Sequence, residues 1–422
     1  MSDDPRSRGA LPDGSSSRSG PDVSNATDRS LATTRRRRFL CGLGALHPLV
    51  LAVAVALVLL ALPGMRAVFA SGAYTVIPES VLLRSVRDDF LHNSYTVSRL
   101  KLHPPDRLPI YVVGGSATRE SIVSDRSLAE MVRRATGVPV RAYVLSNYNQ
   151  TLGESLAIVD NLPSGRGIVV LAVNNNRFHF SPGDNALQLR GRPLLLESPT
   201  LREFVARDPN PKGRKRPARL PGALPGIMDY LVDYLGSRPE VLVKKQSLAL
   251  TYRPHWITER KVWTLARKRL GVERWVEGRG RKFYRYYPYN ARLLETLVAR
   301  AEQRGFKVVF LEETENTDVV GDSFDEFKRV YKPIVRRVAA KYGVPYLDLG
   351  PQLDLPDSAF WDFIHPVEPA RVVWERVLSR ALSPVVREAG SPSSPQEPAG
   401  GVGTTGVTSG ETTVETTGVT SG

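Results

Sequence analysis

The sequence has very little cysteine: Cys41 is the single one among 422 residues. An intrachain disulfide needs two thiols, so no disulfide framework can brace this fold. The shortage does not indicate a compartment, because many exported domains fold without disulfides.

Acidic side chains are also in the minority, with 43 Asp and Glu against 58 Lys and Arg and a formal net charge of +15. A basic chain favours anionic partners such as nucleic acid, lipid headgroups or acidic glycans. The sequence contains no zinc-finger spacing and no aromatic RNA-binding motif, so no nucleic-acid partner is expected. A basic surface without a specific partner is the alternative explanation of the charge.

Several familiar catalytic motifs are missing as well. There is no G-x-S-x-G elbow, which argues against an ordinary α/β-hydrolase. There is no H-E-x-x-H motif, no Walker loop and no Rossmann glycine pattern after a strand. Neither a metal nor any other cofactor is therefore expected.

One long hydrophobic run is present, at residues 39–65, where no Asp, Glu, Lys or Arg occurs. A run of this length predicts a transmembrane helix. The four arginines at 35–38 indicate, by the positive-inside rule, a cytoplasmic N-terminus and an extracytoplasmic remainder. The alternative is a cleaved signal peptide, because the Arg-Arg-Arg-Phe-Leu sequence at 36–40 looks like a twin-arginine signal.

Two tails of biased composition lie at the ends of the chain. Residues 1–38 form a basic tail rich in Ser, Gly and Pro, and residues 386–422 form a Gly/Ser/Thr-rich tail that repeats the sequence TTGVTSG. Neither composition can bury enough apolar surface to offset the chain entropy, so both tails are predicted to be disordered.

Between the tails, residues 74–385 alternate short apolar runs with helical patterns. This alternation predicts an α/β fold in which helices cover both faces of a parallel sheet. The predicted strands are 108–113, 138–145, 167–173, 307–311 and 345–349. The predicted helices are 128–135, 153–162, 291–304, 324–342 and 370–382. Residues 183–289 interrupt this alternation: the segment is helical in pattern and strongly basic, and it is interpreted as an insertion that caps the sheet.

The first candidate catalytic residue is Ser116, which follows a predicted strand and two glycines. Open α/β sheets bind ligands at the carboxyl ends of their strands, and a serine there can present both its hydroxyl and its N–H. The alternative is that Ser116 only caps the next helix, a common role of serine. Glu120, in the same segment, is expected to be structural and to bond nearby backbone.

The second candidate is the pair Asp362 and His365, in a loop between the last predicted strand and the last predicted helix. A catalytic imidazole needs a carboxylate on its Nδ1–H to fix its tautomer and orientation, and two residues three positions apart can meet within one turn. Asn174, Asn175 and Asn176 follow the third predicted strand and offer side-chain amides to a developing oxyanion. Together these residues supply a nucleophile, a base with its orienting carboxylate, and an oxyanion donor.

These motifs resemble the conserved blocks of the SGNH (GDSL-like) hydrolases. Ser116 in GGSATRE, Asn174 in LAVNNN, and Asp362 with His365 in DFIHP resemble blocks I, III and V, and NYNQTLG at 147–153 resembles block II. The resemblance implies a three-layer α/β/α fold, a triad of Ser116, His365 and Asp362, and an oxyanion hole with Asn174 and Asn149. Two positions depart from the family pattern: Gly115 replaces the usual Asp, and Asn149 replaces the block II glycine.

The resemblance implies a membrane-anchored, extracytoplasmic serine esterase or O-acyltransferase. Its expected substrate is an acyl ester, in the first place an acetyl ester, of a cell-envelope polysaccharide, and a membrane-embedded acyl donor protein is a candidate partner. The alternative is a non-catalytic glycan-binding module of an envelope acylation complex. A basic cluster within the insertion either holds an anionic glycan or lipid headgroups, or is a solvated loop: Lys212, Arg214, Lys215, Arg216 and Arg219.

Overall fold

The computed structural model describes residues 71–79, 89–190, 194–208, 262–353 and 355–391, with scattered positions between 50 and 68. Among these residues, no helix is both long and apolar enough to cross a membrane. Residues 1–38, residues 392–422, the basic cluster at 212–219 and most of the hydrophobic run at 39–65 lie outside the described residues. The start of the C-terminal tail at 386 is wrong, because Val386 and Ala389 are buried in a helix that continues to Gly390. The chain divides into two compact units, residues 1–67 and 68–422, and the sheet belongs to the second.

The centre of the second unit is a five-stranded, fully parallel sheet, which confirms the predicted α/β class. Its strands are β1 (Leu108–Val113), β2 (Val140–Val144), β3 (Gly167–Val173), β4 (Phe306–Glu312) and β5 (Tyr346–Leu347). Their order across the sheet is β2-β1-β3-β4-β5. Strands β1 and β3 have the bounds that the sequence predicts, because glycines or polar residues follow each apolar run.

Ten α-helices connect and cover the strands within the described residues. They are α1 (Asp89–Leu102), α2 (Ser116–Ser121), α3 (Asp125–Thr136), α4 (Leu152–Asn161), α5 (Pro182–Asn185), α6 (Pro199–Arg207), α7 (Leu265–Gln303), α8 (Thr317–Val320), α9 (Asp325–Tyr342) and α10 (Ala370–Gly390). Short 3₁₀ turns lie at Ala73–Val76, Asn175–Phe178, Ala186–Arg190, Gly350–Gln352 and Asp357–Ala359.

Helices pack on both faces of the sheet because successive strand residues point to opposite sides. In β1, Tyr111 and Val113 face the cluster formed with α4, α7 and α9, whereas Ile110 and Val112 face the cluster formed with α3 and α10. All four side chains are almost fully buried, so both faces of the sheet form hydrophobic core. The sheet edge where the strands end is thereby left as the place for polar chemistry.

Helix α7 joins the helix predicted at 291–304 to the helical end of the predicted insertion. It runs for 39 residues from Leu265, so the predicted insertion boundary at 289 falls inside one helix. Pro288 removes one intrahelical hydrogen bond, but the helix continues because Phe283 before it and Leu293 after it are fully buried against the core. The first turns of α7 therefore reach past the sheet edge towards the loops after β1 and β3.

The order of the strands creates a switch point between β1 and β3. From β1 the chain moves to β2 on one side, and β3 then pairs with β1 on the other side. The loops that leave the carboxyl ends of β1 and β3 diverge there, and parallel α/β sheets bind their ligands in the crevice that results. Ser116 follows β1 and Asn174 follows β3, so both predicted site residues lie at this crevice.

Candidate active site

Ser116 is the first residue of α2, directly after the turn that ends β1. The turn needs glycine at 114, because a Cβ there would lie 2.4 Å from Thr118 Oγ1 and 2.7 Å from the Ala172 side chain. The tight packing brings the start of α2 against the end of β3. Ser116 is half-buried, so its hydroxyl remains accessible at the crevice.

Asp362, His365 and Ser116 form an unbroken chain of side-chain hydrogen bonds. His365 Nδ1 lies 2.8 Å from Asp362 Oδ2, and His365 Nε2 lies 2.9 Å from Ser116 Oγ. Asp362 Oδ1 also accepts backbone N–H bonds of 2.9 Å from Ile364 and His365, which fixes the carboxylate within its own loop. The structure thus brings the predicted serine and histidine together from positions 249 residues apart.

The loop that carries Asp362 and His365 is held by bonds across its base. Trp361 N–H donates 3.0 Å to the His365 carbonyl, and Phe360 and Pro366 form an antiparallel bridge. The Trp361 indole stacks on the imidazole, with ring centroids 5.2 Å apart and planes inclined by 19°. Stacking on a large flat ring restricts rotation of the imidazole, which keeps its nitrogens aimed at their partners.

A buried asparagine from the loop after β4 fastens the same segment. Asn316 N–H donates 2.9 Å to the Phe363 carbonyl, and its side-chain amide donates to the Asp362 carbonyl at 3.3 Å and to Asp357 Oδ1 at 2.8 Å. Asp357 is paired in turn with the fully buried ammonium of Lys268 on α7. The Asp–His loop is therefore connected to β4 and to α7 by polar contacts.

The ionisation of the pair suits a general base. Burial by itself would lower the pKa of His365, but the charge and hydrogen bond of Asp362 outweigh it, so the pKa of the imidazole is raised. Burial alone would raise the pKa of Asp362, yet the His365 interaction and the two backbone N–H bonds lower it. Asp362 accordingly stays ionised, and His365 is a stronger base than an isolated imidazole.

A second carboxylate, not predicted from the sequence, organises the serine side of the crevice. Glu313 Oε1 accepts hydrogen bonds from the Gly115 backbone N–H at 2.9 Å and from Thr118 Oγ1 at 2.6 Å. Its Oε2 accepts from the Asn174 amide. Glu313 directly follows β4, at the same sheet edge as Ser116 and Asn174, and that shared position is the signal by which sequence reasoning could have found it.

The two predicted oxyanion-hole residues, Asn174 and Asn149, differ in what the structure shows of them. One Asn174 amide hydrogen is directed at Glu313, and its Oδ1 accepts from the Arg177 backbone N–H at 3.2 Å. Asn149 has a φ of +52°, the left-handed conformation that favours glycine and that asparagine tolerates best among other residues. Asn149 thus adopts a backbone shape that a block II glycine would take. Asn176 Oδ1 accepts instead from Trp275 and Arg279 on α7.

Glu120 bonds a neighbouring side chain, where a backbone partner was expected. Its Oε1 accepts from the neighbouring Arg119 guanidinium rather than from backbone N–H groups, and both side chains are almost fully buried. Its Oε2 is buried without a hydrogen-bond partner among the described residues. The pair lies beside His365, whose pKa Glu120 acts to raise and Arg119 to lower.

A cavity of about 740 Å³ opens onto the triad. This volume is within the range that holds a small ligand or one to two sugar rings. Its lining combines the triad with aromatic and basic side chains, several of them from α7: Ser116, Asp362, His365, Tyr148, Asn149, Asn176, Trp263, Trp361, Phe363, Arg119, Glu120, Gly271, Arg274, Trp275 and Arg279. The reacting groups are therefore at the wall of a recess that a substrate can enter.

Comparisons with known proteins give no family for this chain. No protein-family model matches the sequence, and no curated protein matches it. Function is therefore inferred from the residues and their geometry.

Proposed function

We propose that the chain is a serine esterase or O-acyltransferase of the SGNH type, with Ser116 as nucleophile, His365 as base and Asp362 as its orienting carboxylate. The observation that carries the proposal is the hydrogen-bond chain from Asp362 through His365 to Ser116 at the wall of an open cavity. A serine that merely caps a helix has no need of an oriented imidazole on its hydroxyl.

The first half of the reaction acylates the serine. His365 Nε2 takes the hydroxyl proton as Ser116 Oγ attacks the carbonyl carbon of the ester, giving a tetrahedral oxyanion. The bond from that carbon to the leaving oxygen then breaks, and the departing alkoxide receives the proton from His365. The acyl group remains as an ester on Ser116.

The second half transfers the acyl group to an acceptor hydroxyl. His365 removes the acceptor's proton, the acceptor oxygen attacks the Ser116 ester, and Ser116 Oγ leaves and regains a proton from His365. With water as acceptor the protein is an esterase. With a sugar hydroxyl as acceptor it is an O-acyltransferase.

The oxyanion donors we propose are the Ser116 N–H, the remaining Asn174 amide hydrogen and the Asn149 N–H. An amide nitrogen carries two hydrogens, so Asn174 can keep its bond to Glu313 and still donate to an oxyanion. The bond to Glu313 fixes the plane of that amide before the substrate arrives, as preorganised stabilisation requires. The left-handed backbone of Asn149 supports its assignment to block II.

The finer fold and the cellular setting belong to the same proposal. Helices on both faces of the parallel sheet support the three-layer SGNH arrangement. The hydrophobic run at 39–65 and the arginines before it support a single membrane anchor with an extracytoplasmic catalytic domain. By analogy with anchored family members, we propose an acetyl ester of an envelope glycan as substrate and a membrane-embedded acyl donor protein as partner.

A second candidate is a glycan-binding module that performs no chemistry. It is favoured by Gly115 and Asn149, which depart from the family pattern, and by the aromatic side chains at the cavity. Binding alone would leave the Ser–His–Asp hydrogen bonds without a purpose, so catalysis is the better-supported function.

Hydrolysis of a chromogenic acetyl ester by the purified domain tests the proposal. The wild-type protein should release the chromophore, and Ser116→Ala should lower turnover by at least about three orders of magnitude while circular dichroism stays unchanged. Adding sugar acceptors and analysing products by mass spectrometry separates transfer from hydrolysis. Glycan binding without turnover of any ester would favour the binding module instead.

A further inference from the structure

One face of α7 forms a wall of the cavity beside the triad. Four residues of α7 line the cavity: Gly271, Arg274, Trp275 and Arg279. The last three lie three, four and eight positions after Gly271, a spacing that places all four along one side of the helix. Gly271 lies against the Phe363 ring, where an added Cβ would come within 3.2 Å. The helix thus approaches the Asp–His loop closely, and its two arginines follow along the same wall.

Among the described residues that line the cavity, arginines outnumber the carboxylates that could pair with them. Arg119 is paired with Glu120, and Asp362 with His365. Among the described residues, no carboxylate forms an ion pair with Arg274 or Arg279. Asp362 and Glu120 thus each have a basic partner, and within the part of the chain that the structure describes Arg274 and Arg279 have no carboxylate of their own.

Within the described residues, the hydrogen-bond partner that holds Arg279 is neutral. Its Nη1 donates 2.8 Å to Asn176 Oδ1, and Trp275 Nε1 donates 3.2 Å to the same oxygen. Burial lowers the pKa of the half-buried Arg279, and the opposing effect of the nearby Tyr148 is too small to cancel this loss of hydration. A fixed guanidinium with unused donors offers a planar fork that fits the oxygens of a carboxylate or phosphate.

Aromatic rings lie at the same cavity. Tyr148 is 58% exposed, although large aromatic side chains are usually buried, and it stands next to Asn149. Trp263 meets Trp361 edge to face, with centroids 5.0 Å apart. Trp263 is half-buried, with the Arg267 guanidinium over one face of its ring at 4.5 Å. Tyr148 therefore presents the exposed aromatic face at the cavity, a flat apolar surface for the non-polar face of a ring such as a sugar.

We propose that Arg274 and Arg279 form a subsite for an anionic group of the substrate, a carboxylate or a phosphate, so that the ester turned over belongs to an acidic glycan. The inference rests on the proposed function, whose substrate class it names. The acidic group binds along α7, the sugar ring lies by Tyr148 and Trp263, and the acyl carbonyl reaches Ser116.

Turnover of matched esters tests the subsite. The substrates are the acetyl ester of methyl glucoside, which is neutral, that of methyl glucuronide, which carries a carboxylate, and that of glycerol phosphate. For Arg274→Gln with Arg279→Gln, kcat/KM should fall about 10- to 100-fold on the acidic esters and stay within about twofold on the neutral ester. The acidic ester with the larger loss identifies the group that the arginines bind.

Arg281→Gln is the matched control, because Arg281 is exposed on the same helix and outside the cavity lining. This substitution should leave kcat/KM unchanged on all three substrates. An equal loss on neutral and acidic esters, or no loss on any ester in the arginine variants, would overturn the subsite.

Binding separates this inference from the proposed function. Calorimetry with Ser116→Ala protein should detect methyl glucuronide or glycerol phosphate but not methyl glucoside, and the two Gln substitutions should abolish the signal. If that selectivity is found while no ester is turned over, the subsite stands and the proposed chemistry fails. If esters are turned over but the neutral and anionic ligands bind equally well, the subsite is wrong and the proposed chemistry stands.

Discussion

Glu313 Oε1 accepts a hydrogen bond of 2.9 Å from the Gly115 backbone N–H, across 198 residues of sequence. The same carboxylate accepts from Thr118 and from the Asn174 amide, so it joins the turn before Ser116 to the end of β3. A Cβ at position 115 would lie 3.1 Å from Glu313 Oε1, and the carboxylate thus occupies the space beside that glycine. In this chain the geometry of the serine loop depends on the residue that directly follows β4.

Glu313→Gln should therefore damage catalysis more than stability. The amide can still accept from Gly115 through its oxygen, but its NH₂ group then opposes the Asn174 NH₂, and two donors cannot bond each other. We expect ester turnover to fall about 10- to 100-fold, measured by steady-state kinetics. The control is Glu315→Gln in the same loop, which removes a partly exposed pair with Lys328 worth at most about 1 kcal/mol. Wild-type turnover in Glu313→Gln would contradict this role.

Asp362→Asn should change both the rate and its pH dependence. The asparagine Oδ1 can keep the backbone bonds to Ile364 and His365, but its NH₂ faces His365 Nδ1 and favours the wrong tautomer. We expect turnover to fall by about three to four orders of magnitude. In the wild type, activity requires neutral His365 and should decline as the pH falls through its raised pKa, above about 6.5.

Without the Asp362 charge, burial is the main influence left on His365 and lowers its pKa. The acid limb of the residual activity in Asp362→Asn should accordingly move to lower pH. The measurement is kcat/KM between about pH 4 and pH 9, a range that brackets the ordinary pKa of histidine. An acid limb at the same pH in both proteins would show that His365 does not set the profile.

Two glycines of α7 provide a matched comparison of packing. An added Cβ at Gly271 would meet the Phe363 ring at 3.2 Å, whereas one at Gly278 would meet nothing within 4 Å. Gly278→Ala should raise the free energy of unfolding by about 0.5–1 kcal/mol, because alanine is the better helix former. Gly271→Ala should gain less stability and lower turnover about two- to tenfold by displacing Phe363 and its neighbour Asp362. Urea unfolding measures the stability of each variant, and steady-state kinetics measures its ester turnover. Equal stability and equal turnover in the two variants would contradict a role for the contact between Gly271 and Phe363.

The sequence predicts those parts of the molecule that are local. Strands β1 and β3 are apolar runs bounded by polar residues or glycine, and the Asp–His pair lies within a single turn of chain. The continuity of α7 is not predictable in this way. The segment before residue 289 has a helical pattern, but Pro288 separates it from the helix predicted at 291–304, and only the packing of Phe283 and Leu293 shows that the two are one helix.

The supports of the site depend on contacts between distant residues. Glu313 to Gly115 spans 198 residues and Lys268 to Asp357 spans 89, and no periodicity in the sequence encodes either pair. Only the register of the sheet and the path of α7 bring these groups together. The chemistry-bearing residues can thus be predicted from motifs, but the groups that hold them require the fold.

Covalent trapping of Ser116 tests directly whether this serine is a nucleophile activated by His365. A fluorophosphonate reacts with a serine only when a base activates its hydroxyl, and it leaves a stable adduct that intact mass and peptide mapping can locate. We expect one adduct, on Ser116, in the wild-type protein, none in Ser116→Ala, and strongly slowed labelling in His365→Ala. Labelling of the Ser116→Ala protein at the wild-type rate, or no labelling of a wild-type protein that turns over esters, would contradict this expectation.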